Sequence, residues 1–231
     1  MQRLRLATFN LKHGATARGH RGDSEAVAVA CAALEADLLA LQEVDVGLPR
    51  SGHADLATAA AQASGMSVVF GPTMRIRGGQ YGNALLVRGE IVGHEVAELT
   101  SASGIEPRNA ILATARVGGQ RLSVAATHLA TQSDVGRKQL SQTIAKLQVM
   151  PEPWVLMGDL NLTTAEVLAE PLLESMELVG GPATHPAWRP RKRIDHIAIR
   201  GLTLDADSVQ TVRSPRVSDH IALVADVVTR H

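Results

Sequence analysis

Aromatic side chains are scarce in this chain. There are five among 231 residues: two Trp, two Phe and one Tyr. A surface that stacks successive unpaired bases needs several such faces, so an extended single-strand platform is not expected. Cysteine is represented once, by Cys31, which excludes an intrachain disulfide and any zinc site built on thiolates. Cys31 lies in an alanine-rich stretch and is expected to be a plain buried core residue. Neither sign of charge is in excess, with 23 basic and 23 acidic residues. No net field therefore draws a polyanion toward the molecule. No apolar run approaches the roughly 18 residues of a membrane-spanning helix. The opening Met1-Gln-Arg-Leu-Arg-Leu6 contains no apolar signal core. These absences predict a cytoplasmic protein without membrane insertion.

What is present is a globular profile, 45% hydrophobic and 20% charged. Strand and helix patterns alternate from end to end. Arg3 to Thr8 alternates polar and apolar. Ser24 is placed to cap a helix through about Glu35, and Ala54 to Ser64 and Asp134 to Val149 also read as helical, the last stopped by Pro151. Leu38 to Leu41, Ser67 to Phe70, Ala84 to Val87 and Trp154 to Met157 read as strands. So do Ile194 to Ile199, Leu202 to Val212 and Ile221 to Val228. Ile111 to Val117 and Arg121 to Thr127 flank Gly118-Gly119, a hairpin signal. Roughly ten strands and three or four helices result. The hairpin-length turns predict mixed or antiparallel sheets. No Gly/Ser/Pro linker divides the chain, so residues 1–231 are expected to form one domain.

The chemistry-bearing residues stand where apolar strands stop. Glu43 follows Leu38-Leu-Ala-Leu41, and Asn10 follows Leu6-Ala-Thr-Phe9. In Gly158-Asp-Leu-Asn161, residues two apart on an extended chain point one way. Asp159 and Asn161 should then share a target while Leu160 faces the core, with Gly158 permitting close backbone approach. The same string could serve as an Asx-rich turn. His128 ends another apolar strand. Asp219 and His220 precede one, and can share a site only from a loop or bulge. Glu106 is placed to accept a hydrogen bond from His128, and Asp195 to accept one from His220 and fix its tautomer. Hard oxygen donors with nearby imidazoles suit Mg²⁺-assisted cleavage of a phosphate ester. His13, His20, His53, His94, His185 and terminal His231 lack this context and read as surface residues. His196 reads as structural. The run Arg189-Pro-Arg-Lys-Arg193, with Arg75, Arg77 and Tyr81 in the Gly-rich stretch Gly71 to Gly82, is either a solvated face or a set of phosphate contacts.

Taken together, Thr8-Phe-Asn10, Leu41-Gln-Glu-Val-Asp45, Gly82-Asn-Ala-Leu-Leu86, Glu106-Pro-Arg108, Thr127-His-Leu129, Gly158-Asp-Leu-Asn161, Arg193-Ile-Asp-His196 and Ser218-Asp-His220 resemble the endonuclease/exonuclease/phosphatase superfamily. Each string alone is common; their order along nearly the whole chain carries the resemblance. It implies an α+β, four-layer αββα sandwich, with two mixed β-sheets face to face and helices on the outer faces. It implies that Glu43 binds Mg²⁺, with Mn²⁺ as a substitute, and that Asn10 and Asp219 lie in or near the metal shell. By the same resemblance Asp159 orients or activates the attacking water and Asn161 holds a phosphate oxygen. His128, backed by Glu106, contacts the phosphate or assists the leaving group. His220, backed by Asp195, acts as general base or stabilises the transition state. Arg108, Tyr81 and Arg193 are candidate substrate contacts.

The expected function is a metal-dependent hydrolase acting on a phosphodiester or phosphomonoester of modest size. A DNA repair nuclease using a basic rim near Arg189 to Arg193 is the alternative, so nucleic acid is a possible but not favoured partner. A catalytically silent phosphate-ligand-binding protein is the third reading, disfavoured because no core motif residue is missing. Nothing in the sequence sets an oligomeric state.

Overall fold

The computed structural model describes residues 2–16, 18–214 and 216–229; His231 lies outside the described residues. In chain order the elements are β1 (Arg3–Asn10), α1 (Ser24–Ala32), β2 (Leu38–Val46), α2 (Leu56–Ser64), β3 (Ser67–Ile76), β4 (Gly79–Val87) and β5 (Glu90–Glu98). Then come β6 (Asn109–Val117), β7 (Gln120–His128), α3 (Ser133–Gln148), β8 (Trp154–Asp159), α4 (Thr164–Leu168), β9 (Glu177–Leu178), β10 (Asp195–Arg200), β11 (Leu202–Val212) and β12 (Ala222–Thr229). The strands form two six-stranded sheets, ordered β11-β12-β1-β2-β4-β3 and β5-β6-β7-β8-β10-β9. Each sheet has one parallel pair near its middle, β1 with β2 and β7 with β8. A helix fills each of those crossovers, as a parallel connection requires.

Three apolar clusters define four layers. Between the sheets, Leu4, Leu6, Leu38 and Leu85 meet Ile111, Val124, Val155 and Ile197. On the far side of the first sheet, Phe9, Leu39 and Leu41 meet Val27 and Cys31 of α1 and Leu56 of α2. On the far side of the second, Ala125 and Leu156 meet Leu140, Ile144 and Leu147 of α3 and Val167 of α4. A sheet covered on both faces needs apolar residues at successive positions, which accounts for the unbroken run Leu38 to Leu41. Each large aliphatic side chain buried this way contributes about 1.5–3 kcal/mol relative to exposure.

The inward face of each central strand turns polar at the same end. Along β1 it reads Leu4, Leu6, Thr8, Asn10. Along β7 it reads Leu122, Val124, Ala126, His128, and along β8 Val155, Met157, Asp159. β10 and β6, which run the other way, begin on the polar members Asp195 and Asn109. All of these residues are buried. Asn83 donates to Asn109 from sheet to sheet at 2.8 Å. One period-2 stripe thus supplies the core and, where it turns polar, a row of functional side chains.

Several sequence-level boundaries move. Asp23, not Ser24, caps α1: its backbone is extended at φ −122° and its carboxylate accepts from Ala26 N at 2.9 Å. Ser24 is the first helical residue, and the helix stops at Ala32, with Glu35 already left-handed at φ +51°. Asp55 caps α2, which begins at Leu56. β2 does not stop before Glu43 but continues through it to Val46, with a shift of register between Leu41 and Val44. The Gly-rich stretch Gly71 to Gly82 forms the β3–β4 hairpin. β5, mostly exposed along its length, had no alternation strong enough to predict it.

Candidate active site

The polar ends of β1, β2, β7, β8 and β10 meet the loop before β12 in a cleft of about 540 Å³. Glu43, Tyr81, Glu106, Arg108, His128, Asp159, Asn161, Asp219 and His220 line it, with Asn10 and Asp195 behind them. A second, apolar hollow of about 290 Å³ beside α1 holds none of these groups; the chemistry places the candidate site in the first.

Asp159 is the centre. It neighbours His128 on the parallel strand β7 and Asp195 on the antiparallel strand β10. Gly158 permits this approach, because a Cβ there would stand 2.0 Å from the Thr127 carbonyl oxygen. From the facing sheet, Asn10 Nδ2 donates to Asp159 Oδ2 at 3.0 Å and to Glu43 Oε1 at 3.1 Å. Two imidazoles approach that same Oδ2, His128 Nε2 at 3.6 Å and His220 Nε2 at 3.7 Å. Burial, and then the charge of Asp195, push the Asp159 carboxyl up to about 7.

Besides Lys12 and His13, Glu43 at φ +55°, Asn161 at +51° and Ser218 at +70° hold left-handed backbone here. Such conformations cost free energy and persist only where their surroundings fix them. At Glu43, Asn161 and Ser218 the conformation re-aims a side chain. At Glu43 the bulge in β2 turns the carboxylate into the cleft. At Asn161 the chain takes the Asx turn that the sequence left open as the alternative to an extended run. Its N–H donates to Asp159 Oδ1 at 3.0 Å, and the two side chains converge while Leu160 stays buried. At Ser218 the hydroxyl donates to Asn10 O at 2.5 Å and accepts from His220 N at 2.9 Å. That bend lets Asp219 and His220 face one site.

The expected Asp195–His220 contact is present, with His220 Nδ1 2.9 Å from Asp195 Oδ2. Burial alone would lower the His220 pKa. Asp195, by charge and hydrogen bond, together with Asp159 and Asp219, outweighs it and lifts the value to about 10. The expected Glu106–His128 bond is not formed. Arg108 stands between them, its Nη1 2.5 Å from Glu106 Oε1 and 3.2 Å from His128 Nδ1. Burial, then the charges of Arg108 and His220, hold His128 well below its usual pKa.

Asp219 meets Lys12 Nζ at 3.1 Å. Burial raises the Glu43 pKa, and Asp219 and Glu106 add to the rise. Asp159, Asp195 and His220 also lie within 4.8 Å of one another, but Asp195 and His220 are already bonded to each other. Glu43, Asn10 and Asp219 also offer oxygen donors, the kind a hard divalent cation takes, with Asp219 already paired to Lys12.

Some expectations fail. Arg193 does not face the cleft; it is half-buried and donates to the Val179 carbonyl. Arg189 and Arg191 are exposed and do not line the cleft. His185, read as a surface residue, lines the cleft, with its ring 4.7 Å from that of His220. His13 lines it too, and Lys12 and Arg50 were not singled out in the sequence at all. Arg50 pairs with buried Asp45 at 2.7 and 2.8 Å and lies 5.3 Å over the Tyr81 ring. Only the short spacing Asp45–Arg50 hinted at it. His196 is structural as expected, buried against the Leu162 carbonyl, and burial lowers its pKa to about 4.

Among the described residues, no helix is long and apolar enough to cross a membrane. No curated protein matches the chain in sequence. Solved structures match its fold. An endonuclease/exonuclease/phosphatase from Beutenbergia cavernae DSM 12333 is 20% identical with a TM-score of 0.79, covering 99% of this chain and 72% of that one. D. rerio TDP2 complexed with single strand DNA product is 18% identical, TM-score 0.77, covering 99% and 100%. Sphingomyelinase C from Streptomyces griseocarneus is 20% identical, TM-score 0.70, covering 98% and 99%. The model of the Endonuclease/Exonuclease/phosphatase family matches residues 7–220, nearly the full length, and this chain belongs to that family.

Proposed function

We propose that the chain is one catalytic domain over residues 1–231, a divalent-cation-dependent hydrolase of phosphate esters of modest size. The observation that most supports this is the meeting of Asn10, His128 and His220 around a single oxygen of Asp159, with Glu43 beside it. Asp159 orients the attacking water and accepts its proton. Water attacks in line; its bond to phosphorus forms as the bond to the alcohol oxygen breaks. His220, with a pKa near 10, enters as imidazolium and meets the charge that develops on the phosphate. On this reading Asp159, rather than His220, accepts the proton. Asn161 and His128 face the remaining oxygens. Glu43, Asn10 and Asp219 would hold Mg²⁺ or Mn²⁺, which when bound neutralises charge on the phosphate and its leaving oxygen.

A nuclease reading has one point in its favour, the likeness to TDP2 bound to a single-stranded DNA product. The basic rim it would use is weakened by the inward course of Arg193. A panel of abasic duplex, single-stranded DNA, phosphoinositides, sphingomyelin and nucleotide esters, run with Mg²⁺ and with Mn²⁺, separates the two. Turnover should vanish on exhaustive chelation and return with either cation, and should be best on a small ester. Full activity after chelation, or in Glu43→Gln, would overturn the metal assignment. Far better cleavage of DNA would install the nuclease reading.

A further inference from the structure

His128 is gripped by donors at both ring nitrogens. Arg108 Nη1 lies 3.2 Å from Nδ1, and Asn161 Nδ2 lies 3.1 Å from Nε2. The Asn161 nitrogen is oriented by a second bond, to the Leu129 carbonyl at 3.0 Å. The Arg108 nitrogen is likewise fixed by Glu106 at 2.5 Å. Each donor therefore has one proton committed elsewhere and one aimed at the imidazole. A neutral imidazole has one lone pair and one N–H, so it can accept from only one of them.

The competition has a clear winner. A guanidinium does not give up its proton, and its bonds are charge-assisted and about twice as strong as neutral ones. Arg108 is itself buried, at 7% exposure, which strengthens its bond relative to one in water. An Asn amide is neutral and the weaker competitor. Arg108 takes the Nδ1 lone pair, and the proton sits on Nε2. The Nε2–H and the Asn161 N–H then confront each other at the cleft wall, each without an acceptor in the other. One acceptor oxygen brought between them satisfies both. Asp159 Oδ2, at 3.6 Å from Nε2, is too far to serve as that acceptor.

We propose that Arg108 is a positioning residue that holds His128 as its Nε2–H tautomer, so that His128 and Asn161 form a paired donor site for one phosphate oxygen. Only the identity of that oxygen rests on the phosphoesterase reading. His128 acts as a donor, not as a base. His220 has a carboxylate, Asp195, at the same ring position, which holds a proton on Nδ1 instead. Arg108 thus acts on the reaction through His128 rather than by touching substrate.

The tautomer can be read directly, with no substrate, by ¹⁵N-correlated NMR of histidine-labelled protein. Wild type should show His128 with a protonated Nε2 and a bare Nδ1. In Arg108→Met the Asn161 donor has no rival, and the proton should move to Nδ1. Arg108→Lys, which keeps a charged donor, should retain the Nε2–H form, and so should Asn161→Ala. With the best ester substrate, Arg108→Met should lower kcat on the order of 10²-fold, the usual cost of losing one such donor, with KM changing far less. An Nδ1–H tautomer in wild type would overturn the proposal with no variant needed. So would an unchanged tautomer in a folded Arg108→Met. If the tautomers behave as expected and no ester is turned over, the phosphoesterase reading fails and the role of Arg108 stands.

Discussion

The two sides of the cleft present the same group in opposite states. His128 and His220 both direct Nε2 toward one oxygen of Asp159, at 3.6 and 3.7 Å. Behind His128 stands a guanidinium, and behind His220 a carboxylate. The first is held neutral and the second charged. Position relative to Asp159 therefore does not set what a histidine does here. The charge one bond further back does.

Asp159→Asn breaks the comparison at its shared point. It removes the proposed proton acceptor and leaves both imidazoles facing a neutral amide. We expect kcat to fall on the order of 10³-fold, within the range of general acid–base groups, in a steady-state assay with Mg²⁺ saturating. Retention of most activity would return the proton-accepting role to a histidine.

Removing one side alone should cost less. His220→Ala is expected to lower kcat roughly 10²-fold. If Asp195 acts through His220, to which it is hydrogen-bonded, adding Asp195→Asn should cost little more. Multiplicative losses would show that Asp195 serves some separate partner.

Titration sharpens the contrast without turnover. At pH 8, NMR should find His220 charged and His128 neutral. The folded His220 pKa of about 10 lies above its ordinary 6.5, so its contribution to stability is complete below about pH 6.5. It is lost as pH rises toward 10. The loss is readable as a lower urea midpoint at pH 9 than at pH 6.5. His220→Gln should flatten that slope; an equal slope in the variant would place its origin elsewhere.

The smallest effect belongs to residues outside both sides. Arg189→Gln and Arg191→Gln should change KM less than about twofold, since neither side chain lines the cleft. Raising salt from 50 to 200 mM should change KM for the small ester by far less than the roughly 10³–10⁵ lost by a protein making about 6–10 duplex phosphate contacts.

The layer order was legible through the family resemblance; apolar patterning and hairpin turns alone gave the strands and helices and mixed or antiparallel sheets. The ends of the inward stripes were legible too: Asn10, Glu43, His128, Asp159, Asp195 and His220 each border an apolar run. What could not be read was backbone that leaves the period. The bulge at Glu43 depends on neighbouring strands and leaves no local signature beyond the residues themselves, whereas the turn at Asn161 was one of two readings its Asx-rich string left open. The partner of His128 was misassigned for a related reason. Glu106 and Arg108 lie two residues apart, and sequence gives no rule for which of them reaches inward. His185 and Lys12 were missed because loops bring them to the cleft, and Arg193 was misplaced because a charged residue beside a motif looks functional whichever way it turns.

The single thiol offers a clock for the outer layer of the fold. Cys31 is fully enclosed beneath α1, and burial pushes its pKa up to about 12. At neutral pH almost none of it is the reactive thiolate, and alkylating reagents cannot reach it until the helix lifts from the sheet. Its labelling rate therefore reports how often that layer opens. If the rate rises with denaturant as steeply as global unfolding does, α1 and α2 leave only when the whole molecule comes apart. A shallower rise would mean that the helical cover peels away by itself while the two sheets, and the cleft between their ends, stay assembled.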